Sequence, residues 1–424
     1  MITHPVSITL LRELTQRQVR WVLLRSPANE SPDGDIDLLV HPSDMSVVKA
    51  VFLALGFVLL PRAGTHALFY DASTDVWLWF HVVDELSFLG GQVQTDVVEA
   101  CLERRLRGEP SRLAADDAFW VLLLHCALDK RAVAPHHRST LQQLAAPEPL
   151  TGPMAMFMAG FCVMAPSIAT PHALVEMVVK GEWARAEQDL WRVADVWRRG
   201  HRPSFLRRRY HEAISYAAAL KRAVQAPGLS VALLGPDGAG KSTLASGIAE
   251  SFKLPVSVMY MGLTGGFLQT VVRLRIPGLV FAGRALVIWR RYLRGRLHQA
   301  RGRLVVFDRY TFDAFVPHPR RLNLLERLSR RLDGYLCPAP DLVLILDAPG
   351  KVMHLRKGEY DGDMLEDWRR HFLALQQRIP DIVEVIDATQ DQEKVRRDAI
   401  VRIWRRYRTR EAGQSVAPAA SPTR

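Results

Sequence analysis

The sequence predicts an α/β protein of more than one domain, and three observations lead to this prediction. From residue 228 onward, short apolar runs typical of strands alternate with helical segments, which indicates a parallel sheet covered by helices on both faces. Residues 1–95 carry a shorter mixture of strand and helix patterns, which predicts a smaller α/β domain. Residues 96–227 are helical in pattern, without a comparable strand signal, and are predicted to connect the two.

Length and composition agree with a folded, multidomain protein. The chain has 424 residues, of which 48% are apolar and 24% charged. A net charge of +12 favours polyanionic partners such as nucleotides or phosphorylated glycans, although no clear nucleic-acid motif is present. The four cysteines show no close pairing, which indicates a reducing compartment. The longest apolar run, residues 154–165, is about half the ~20 residues of a membrane span, so we expect a cytoplasmic protein without a transmembrane segment.

The predicted N-terminal domain begins with a helix and continues with strands separated by turn-forming residues. A polar loop rich in turn residues precedes its second strand, and Gly56 marks a turn after its second helix. The predicted elements are a helix over residues 6–18 and strands over residues 19–24, 35–40, 67–70 and 76–83.

Two aspartates on the second strand are candidate metal ligands. Asp35-Ile-Asp37 resembles the paired carboxylates of nucleotidyltransferases, and strand alternation places both side chains on one face, as two-metal chemistry requires. This resemblance implies a third carboxylate on the strand over residues 76–83, where the inward position carries His81, while Asp84 is expected to be a cap or turn residue. Active nucleotidyl transfer, a degenerate binding or scaffold domain, and an accidental likeness all stay open.

The helical region is clearest over residues 116–128. His125, Asp129 and Lys130 are close together on this helix and are expected to be structural or solvated. Pro203 is a candidate hinge, and the Pro-Gly pair at residues 227–228 is predicted to end the region.

A second α/β domain is predicted over residues 228–409. Its predicted elements are strands over residues 230–234, 256–261, 304–308, 342–347 and 383–386, and a helix over residues 241–252. The remaining residues, 410–424, are small, polar and proline-containing, and they are predicted to form a disordered tail.

A phosphate-binding motif lies between the first strand and the first helix of this domain. The segment from Gly235 to Ser242, GPDGAGKS, has the P-loop pattern, in which glycines let backbone N–H groups surround phosphate oxygens beside a helix N-terminus. Lys241 is expected to bridge the β- and γ-phosphates, and Ser242 to place its hydroxyl on Mg²⁺. The motif predicts ATP and Mg²⁺ as cofactors. The residues expected to contact the nucleotide are Gly235, Asp237, Gly238, Ala239, Gly240, Lys241, Ser242 and Thr243, together with Lys357 further along the chain.

Three segments together resemble the thymidylate kinase family. They are residues 237–243 (DGAGKST), residues 304–310 (LVVFDRY) and residues 340–347 (PDLVLILD), the last of which is followed by Leu355-Arg356 at the expected start of a lid. The resemblance covers roughly residues 229–408 and implies a P-loop NTPase sheet and kinase activity.

The chemistry of the accompanying residues agrees with that activity. Asp308, at the end of a strand, can orient Mg²⁺-bound water or the acceptor, and Arg309 can hold an anionic acceptor. Arg356 and Lys357 can close over the phosphates. The alternatives are a surface ion pair for Asp308 and Arg309, and a solvated role for Arg356 and Lys357.

Two further strand-ending aspartates, Asp347 and Asp387, are either site residues or caps.

The acceptor is not predicted by these motifs. After Asp308-Arg309-Tyr310 the family continues with Ser and then Ala-Tyr-Gln, whereas this chain has Thr311-Phe-Asp313-Ala-Phe-Val-Pro-His318. We therefore expect a kinase acting on a nucleotide, a sugar phosphate or a glycan. The alternatives are a nucleotide-gated regulatory or assembly protein of surface-polysaccharide biosynthesis, and a bifunctional nucleotidyltransferase and kinase.

Overall fold

The chain forms two compact units, and both contain a five-stranded sheet with helices. One unit comprises Met1–Asp71 and Val76–Ile214, and the other comprises Ala72–Asp75 and Ser215–Arg424. The computed structural model describes residues 4–24, 36–61, 65–108, 110–200, 228–262, 277–317 and 322–415.

The sheet of the first unit is mixed. Its strands are β1 (Trp21–Leu23), β2 (Ile36–Val40), β3 (Val58–Pro61), β4 (Thr65–Asp71) and β5 (Val76–Val83), arranged in the order β1-β2-β5-β4-β3. Strands β2 and β5 are parallel, and the other neighbours are antiparallel. Two helices, α1 (Pro5–Gln16) and α2 (Met45–Ala54), belong to the same part of the chain.

Successive side chains of a strand point to opposite faces of a sheet, and both faces of this sheet are covered. Leu38 and Val40 of β2 share a core with residues of α1 and α2. Leu39, between them, shares a different core with Val22 and the helices that follow the sheet. Of these two cores of the first unit, one is therefore formed jointly by the N-terminal sheet and the helical region.

The rest of the first unit is helical apart from a short antiparallel ribbon of β6 (Ser87–Phe88) and β7 (Val93–Gln94). Helix α4 is the centre of this region, with Phe119 and Trp120 fully buried and the Trp120 indole N–H donating to the Pro149 carbonyl at 2.7 Å. The helices are α3 (Val98–Glu103), α4 (Ala115–Leu124, continued by a π turn over His125–Asp129), α5 (Pro135–Ala145), α6 (Gly152–Val163), α7 (Pro171–Lys180) and α8 (Trp183–Gly200).

The second unit contains an all-parallel sheet in the order β12-β11-β8-β10-β9. The strands are β8 (Ser230–Leu234), β9 (Val256–Tyr260), β10 (Leu304–Asp308), β11 (Leu342–Asp347) and β12 (Val383–Asp387). The helices are α9 (Lys241–Ser251), α10 (Pro277–Ala300), α11 (Leu324–Gly334), α12 (Gly350–Lys357), α13 (Gly362–Arg378) and α14 (Gln392–Ser415).

Strand β8 lies at the centre of this sheet, and all five of its residues are buried. Ala232 and Leu234 pack with residues of α10 and α13 in one core. Strands β9 and β10 lie on one side of β8, and β11 and β12 lie on the other. The direction in which strands are added to the sheet therefore reverses between β8 and β11. In open parallel sheets, ligands bind outside the carboxyl ends of strands at such a reversal of direction. The fold therefore creates a crevice between the ends of β8 and β11.

The fold confirms the predicted α/β class, with helices against both faces of the second sheet. Strands β8, β10 and β11 have the predicted bounds, while β3 and the β6–β7 ribbon were not predicted. Helix α14 extends to Ser415, so residues 410–415 are helical where disorder was predicted. Pro203 lies outside the described residues, and none of the described helices is long and apolar enough to cross a membrane.

A polar cluster joins three elements at the amino end of the second sheet. Asp341, immediately before β11, accepts hydrogen bonds from the Ser230 amide at 2.8 Å, the Ser230 hydroxyl at 2.7 Å and the Gln299 side-chain amide at 2.7 Å. Gln299 also donates to the Gly228 carbonyl at 3.0 Å. One carboxylate thus connects β8, β11 and the end of α10.

Replacing Asp341 by Ala is expected to lower the free energy of unfolding by about 2 to 4 kcal/mol, because buried donors would lose a charged acceptor. Urea unfolding followed by circular dichroism measures this loss. Asp341→Asn keeps one acceptor oxygen and should lose less, and the exposed Asp381→Ala should lose almost nothing. Equal stability of the Asp341 and Asp381 alanine variants would contradict the assigned role.

Candidate functional site

A glycine-rich loop, residues 235–240, connects β8 to α9 at the crevice. Gly235, Gly238 and Gly240 have φ angles of +142°, +88° and +95°, which side-chain-bearing residues rarely adopt. A Cβ atom at Gly235 would lie 2.9 Å from the Leu346 carbonyl oxygen, and one at Gly238 would lie 2.4 Å from the Met353 carbonyl oxygen. The loop conformation and its packing therefore both require glycine.

Lys241 is the first residue of α9, and its side chain is only 6% exposed. Its ammonium group donates to the carbonyl oxygens of Gly235 and Pro236, each at 2.8 Å. Burial, followed by the positive charge of Arg309, lowers the pKa of Lys241 to about 8. The loop thus holds a desolvated ammonium group that an added anion would stabilise.

Ser242 and Asp308 bring two oxygen ligands together beside Lys241. The Ser242 hydroxyl donates to the Asp308 carboxylate at 2.6 Å. This contact forms because β10 is the direct neighbour of β8, with Asp308 in register with Leu233. Hydroxyl and carboxylate oxygens are the donors that Mg²⁺ prefers. Ser242 and Asp308, the metal ligands predicted for the second unit, therefore lie next to each other.

Arg309 lies between two carboxylates. Its guanidinium contacts Asp237 of the glycine-rich loop and donates to Asp313 at 3.3 Å. Burial lowers the pKa of Arg309, but Asp313 and Asp237 outweigh it and raise the value above its usual range. Its φ of +70° is uncommon for a residue with a side chain. The predicted Asp308-Arg309 pair is therefore not a surface ion pair, because each residue has a different partner.

A cavity of about 920 Å³ lies over the glycine-rich loop. Its volume is within the range of nucleotide-sized ligand sites. Eight of the nine residues predicted to contact the nucleotide line it, and the ninth, Gly235, lines a second cavity beside it. The eight are Asp237, Gly238, Ala239, Gly240, Lys241, Ser242, Thr243 and Lys357.

Arg356 and Lys357, in the last turn of α12, line the same cavity. The Arg356 guanidinium donates to the Ala388 carbonyl at 3.0 Å, and the Lys357 ammonium lies 3.2 Å from Glu359. Both side chains are exposed, so they can reorient towards an anion in the cavity.

The first turns of α14 and the residues just before it form another wall, which was not predicted from the sequence. Gln390, Gln392 and Glu393 line the cavity with Val395 and Arg396. No local motif marks this segment. Its position follows from α14 packing beside α9, a tertiary contact.

Asp347 and Asp387, the other strand-ending aspartates, are held by protein partners. The Asp347 carboxylate accepts from the Arg369 guanidinium at 3.0 Å. Asp387 accepts from the Thr389 amide at 2.9 Å and its hydroxyl at 2.6 Å, forming a turn. Neither lines the large cavity, and neither caps a helix: Asp387 forms a turn ahead of α14, which begins at Gln392, and Asp347 forms an ion pair.

A second cavity of about 300 Å³ adjoins the first, and Asp237, Tyr260 and Arg309 line both. Its other walls come from the loop after β9, the turn after β10, and helices α11 and α13. Most of these residues carry no motif and were not predicted. Two neighbouring cavities therefore share a wall that includes Arg309.

The candidate metal site of the first unit is described only in part, because Asp35 lies outside the described residues. Asp37 is buried, and His81 Nδ1 lies 2.9 Å from its carboxylate. His66, on the neighbouring strand, stacks on His81 with ring centroids 4.4 Å apart. Over the described part of the chain, no group of three or more His, Cys, Asp or Glu residues is arranged to hold a metal ion.

His125 and Asp129 form a local contact at 3.1 Å, and Asp129 also accepts from the Leu89 amide at 2.7 Å. Lys130 is exposed. These residues have the structural or solvated roles expected of them.

A comparison of the chain with protein-family models gives no match.

Replacing Gly238 by Ala is expected to weaken binding of an ATP analogue at least tenfold and to lower the unfolding free energy by about 1 to 3 kcal/mol, because of the positive φ and the collision with Met353. Calorimetric titration and thermal unfolding measure the two effects. Gly160→Ala in α6, where a Cβ meets no atom within 4 Å, is the matched control; it should leave nucleotide affinity unchanged and raise the unfolding free energy slightly, by up to about 1 kcal/mol, because Ala favours a helix more than Gly does. Unchanged nucleotide affinity in Gly238→Ala would contradict the role of the loop.

Proposed function

We propose that the second unit is a P-loop phosphotransferase of the thymidylate kinase-like class, which transfers the γ-phosphoryl group of Mg-ATP to a small acceptor. The observation that carries the proposal is the junction of two cavities at Arg309, one built on the glycine-rich loop and the other on the turn after β10. Transfer of a group between two bound molecules requires two adjacent sites. Here a larger and a smaller cavity lie side by side, and both are lined by the cationic side chain of Arg309.

In this proposal the glycine-rich loop and the N-terminus of α9 hold the phosphates. Lys241 exchanges its two carbonyl partners for phosphate oxygens, and its charge stabilises the transferred group. Arg309, at the cavity junction, orients donor and acceptor. Arg356 and Lys357 move from their present partners towards the phosphates and exclude water.

Ser242 and Asp308 would hold the magnesium ion. Their oxygens lie 2.6 Å apart at the cavity, and both are hard donors. Two protein ligands suffice, because Mg²⁺ takes its other ligands from phosphate oxygens and water. The ion, when bound, neutralises charge on the phosphates.

For the first unit we propose a nucleotidyltransferase-like domain that has lost its catalytic site and serves in binding or as a scaffold. The support is His81, which pairs with Asp37 where the resemblance implies a third carboxylate. An imidazole lacks the charge of a hard Mg²⁺ ligand.

Lys241→Ala is expected to reduce ATP turnover at least about a hundredfold, because it removes the charge nearest the transferred group. ADP release in a coupled assay measures it. Lys351→Ala, an exposed lysine of α12 outside both cavities, is the control and should keep full activity. Full turnover by the Lys241 variant would refute the proposed function.

ATP binding is expected to take up a proton at alkaline pH. The pKa of Lys241 is lowered to about 8 in the free protein, and a bound triphosphate would raise it, so affinity should fall above about pH 8. Calorimetry in buffers of different ionisation enthalpy should show uptake approaching one proton near pH 9 and almost none near pH 7. Lys241→Arg stays charged and should show no uptake. Equal uptake by both proteins would contradict this assignment.

A further inference from the structure

Five of the fifteen described residues that line the second cavity are aromatic. Its volume of about 300 Å³ is that of a site for a compact molecule such as one sugar or one nucleoside. Aromatic faces bind sugar rings and bases through apolar contact and stacking. The aromatic residues that line it are Tyr260, Tyr310, Tyr360, Trp368 and Phe372.

Over the described residues that line this cavity, the formal charges sum to zero. Among the described lining residues, the charged ones are Asp237, Arg309, Asp313 and Arg330, two of each sign. Arg309 already contacts both carboxylates. A phosphate-bearing acceptor brings about two more negative charges and needs cationic donors that are not already neutralised.

Arg330 does not supply such a donor. Its guanidinium donates to three backbone carbonyl oxygens, those of Ala314 at 3.1 Å, Asp313 at 3.0 Å and Val316 at 2.9 Å. These bonds hold the turn after β10 in place, and burial lowers the pKa of Arg330. Its role is to position the turn that carries Asp313.

Asp313 is a carboxylate with remaining capacity to accept hydrogen bonds. It lies in the short 3₁₀ turn Thr311–Phe315, and its side chain, 20% exposed, lines the cavity. One oxygen accepts the 3.3 Å bond from Arg309, and the other is buried without a hydrogen-bond partner among the described residues. Burial raises the pKa of Asp313, and Arg309 and Lys241 oppose this rise. A partly desolvated carboxylate is a stronger proton acceptor than a solvated one.

We infer that the acceptor is an uncharged molecule with a hydroxyl group, such as a sugar or nucleoside, and that Asp313 accepts the proton of that hydroxyl. This inference rests on the proposed phosphotransferase function and deepens it. The hydroxyl oxygen forms a bond to the γ-phosphorus, while the bond from that phosphorus to the β,γ-bridging oxygen breaks and leaves its electron pair on ADP. The hydroxyl proton moves to Asp313 and then to solvent. The products are a phosphomonoester and ADP.

A phosphate acceptor fits this cavity poorly. Its oxygens are largely ionised at neutral pH, so it offers no proton that a carboxylate must remove. Asp313 and Asp237 would repel it. The same two side chains can accept hydrogen bonds from hydroxyl groups.

The first test compares matched compounds on the full chain. Thermal shift with Mg²⁺ and a nonhydrolysable ATP analogue is measured for thymidine, glucose and mannose and for the monophosphate of each. The uncharged compounds are expected to stabilise the protein, and the monophosphates to bind at least tenfold more weakly. A preference for monophosphates, or no stabilisation by any uncharged compound of the set while the ATP analogue binds, would overturn the inference.

The second test replaces Asp313. With ATP and an uncharged acceptor, Asp313→Asn is expected to bind both substrates within about threefold of the parent and to transfer phosphate about 10² to 10⁴ times more slowly. Phosphorus NMR identifies the phosphomonoester. Asp313→Glu retains a carboxylate and should recover part of the rate, while the exposed Asp381→Asn should be unaffected. Undiminished transfer by Asp313→Asn, or a phosphoanhydride product, would overturn the inference.

Failure of the two proposals can be distinguished. If the parent chain does not bind the ATP analogue and Lys241→Ala changes nothing, the phosphotransferase function fails. If nucleotide binding is intact and Lys241-dependent but monophosphates are preferred, only the inference about the hydroxyl acceptor and Asp313 fails. Should Asp313→Asn not fold, Asp313→Glu and the matched compounds still decide the question.

Discussion

The second unit depends on the close approach between the glycine-rich loop and the chain at and after β11. Gly235 packs against the Leu346 carbonyl and Gly238 against the Met353 carbonyl, at separations that admit no Cβ atom. Because these neighbours are backbone atoms, a side chain at either glycine would displace β11 or α12. The packing fixes the N-terminus of α9 at the crevice between β8 and β11, where the sheet reverses direction. The position of Lys241 follows from it.

Burial of the charged Lys241 side chain costs free energy, and neighbouring residues offset this cost. The Lys241 side chain is only 6% exposed, so its ammonium group loses most of its hydration, and the nearby Arg309 adds a repulsive charge. Two loop carbonyls accept its hydrogen bonds, while Asp237, Asp308 and Asp313 provide opposite charge. In the proposed function a triphosphate would replace the two carbonyl contacts, while Asp308 would hold the metal ion. The cluster is therefore stable without a ligand, and Lys241 can still exchange its carbonyl partners for the atoms of a ligand.

The parts of the fold that the sequence predicted well are those set by local pattern. Strands β8, β10 and β11 are continuous apolar runs, and the glycine-rich loop is a contiguous motif with one mechanical purpose. Strand β3 is only four residues long and is defined by its pairing with β4, so no local signal marks it. The second cavity was missed for a similar reason. Tyr260, Asp313, Arg330 and Trp368 come from four separate elements, which meet only through the order of strands in the sheet.

Arg309 links the two cavities, and its backbone shows how strongly its position is constrained. A φ of +70° costs about 1 to 3 kcal/mol for a residue with a side chain. The Arg309 amide donates to the Leu233 carbonyl at 3.2 Å, and the Arg309 guanidinium lies between two carboxylates. These contacts hold the residue in this conformation. Arg309 lowers the pKa of Asp313 against the effect of burial. Phosphate oxygens in the larger cavity would compete for the same guanidinium. If Arg309 turned towards them, as the proposed reaction implies, Asp313 would lose its counter-charge and its pKa would rise, which would make it the stronger base that the proposal assigns to it.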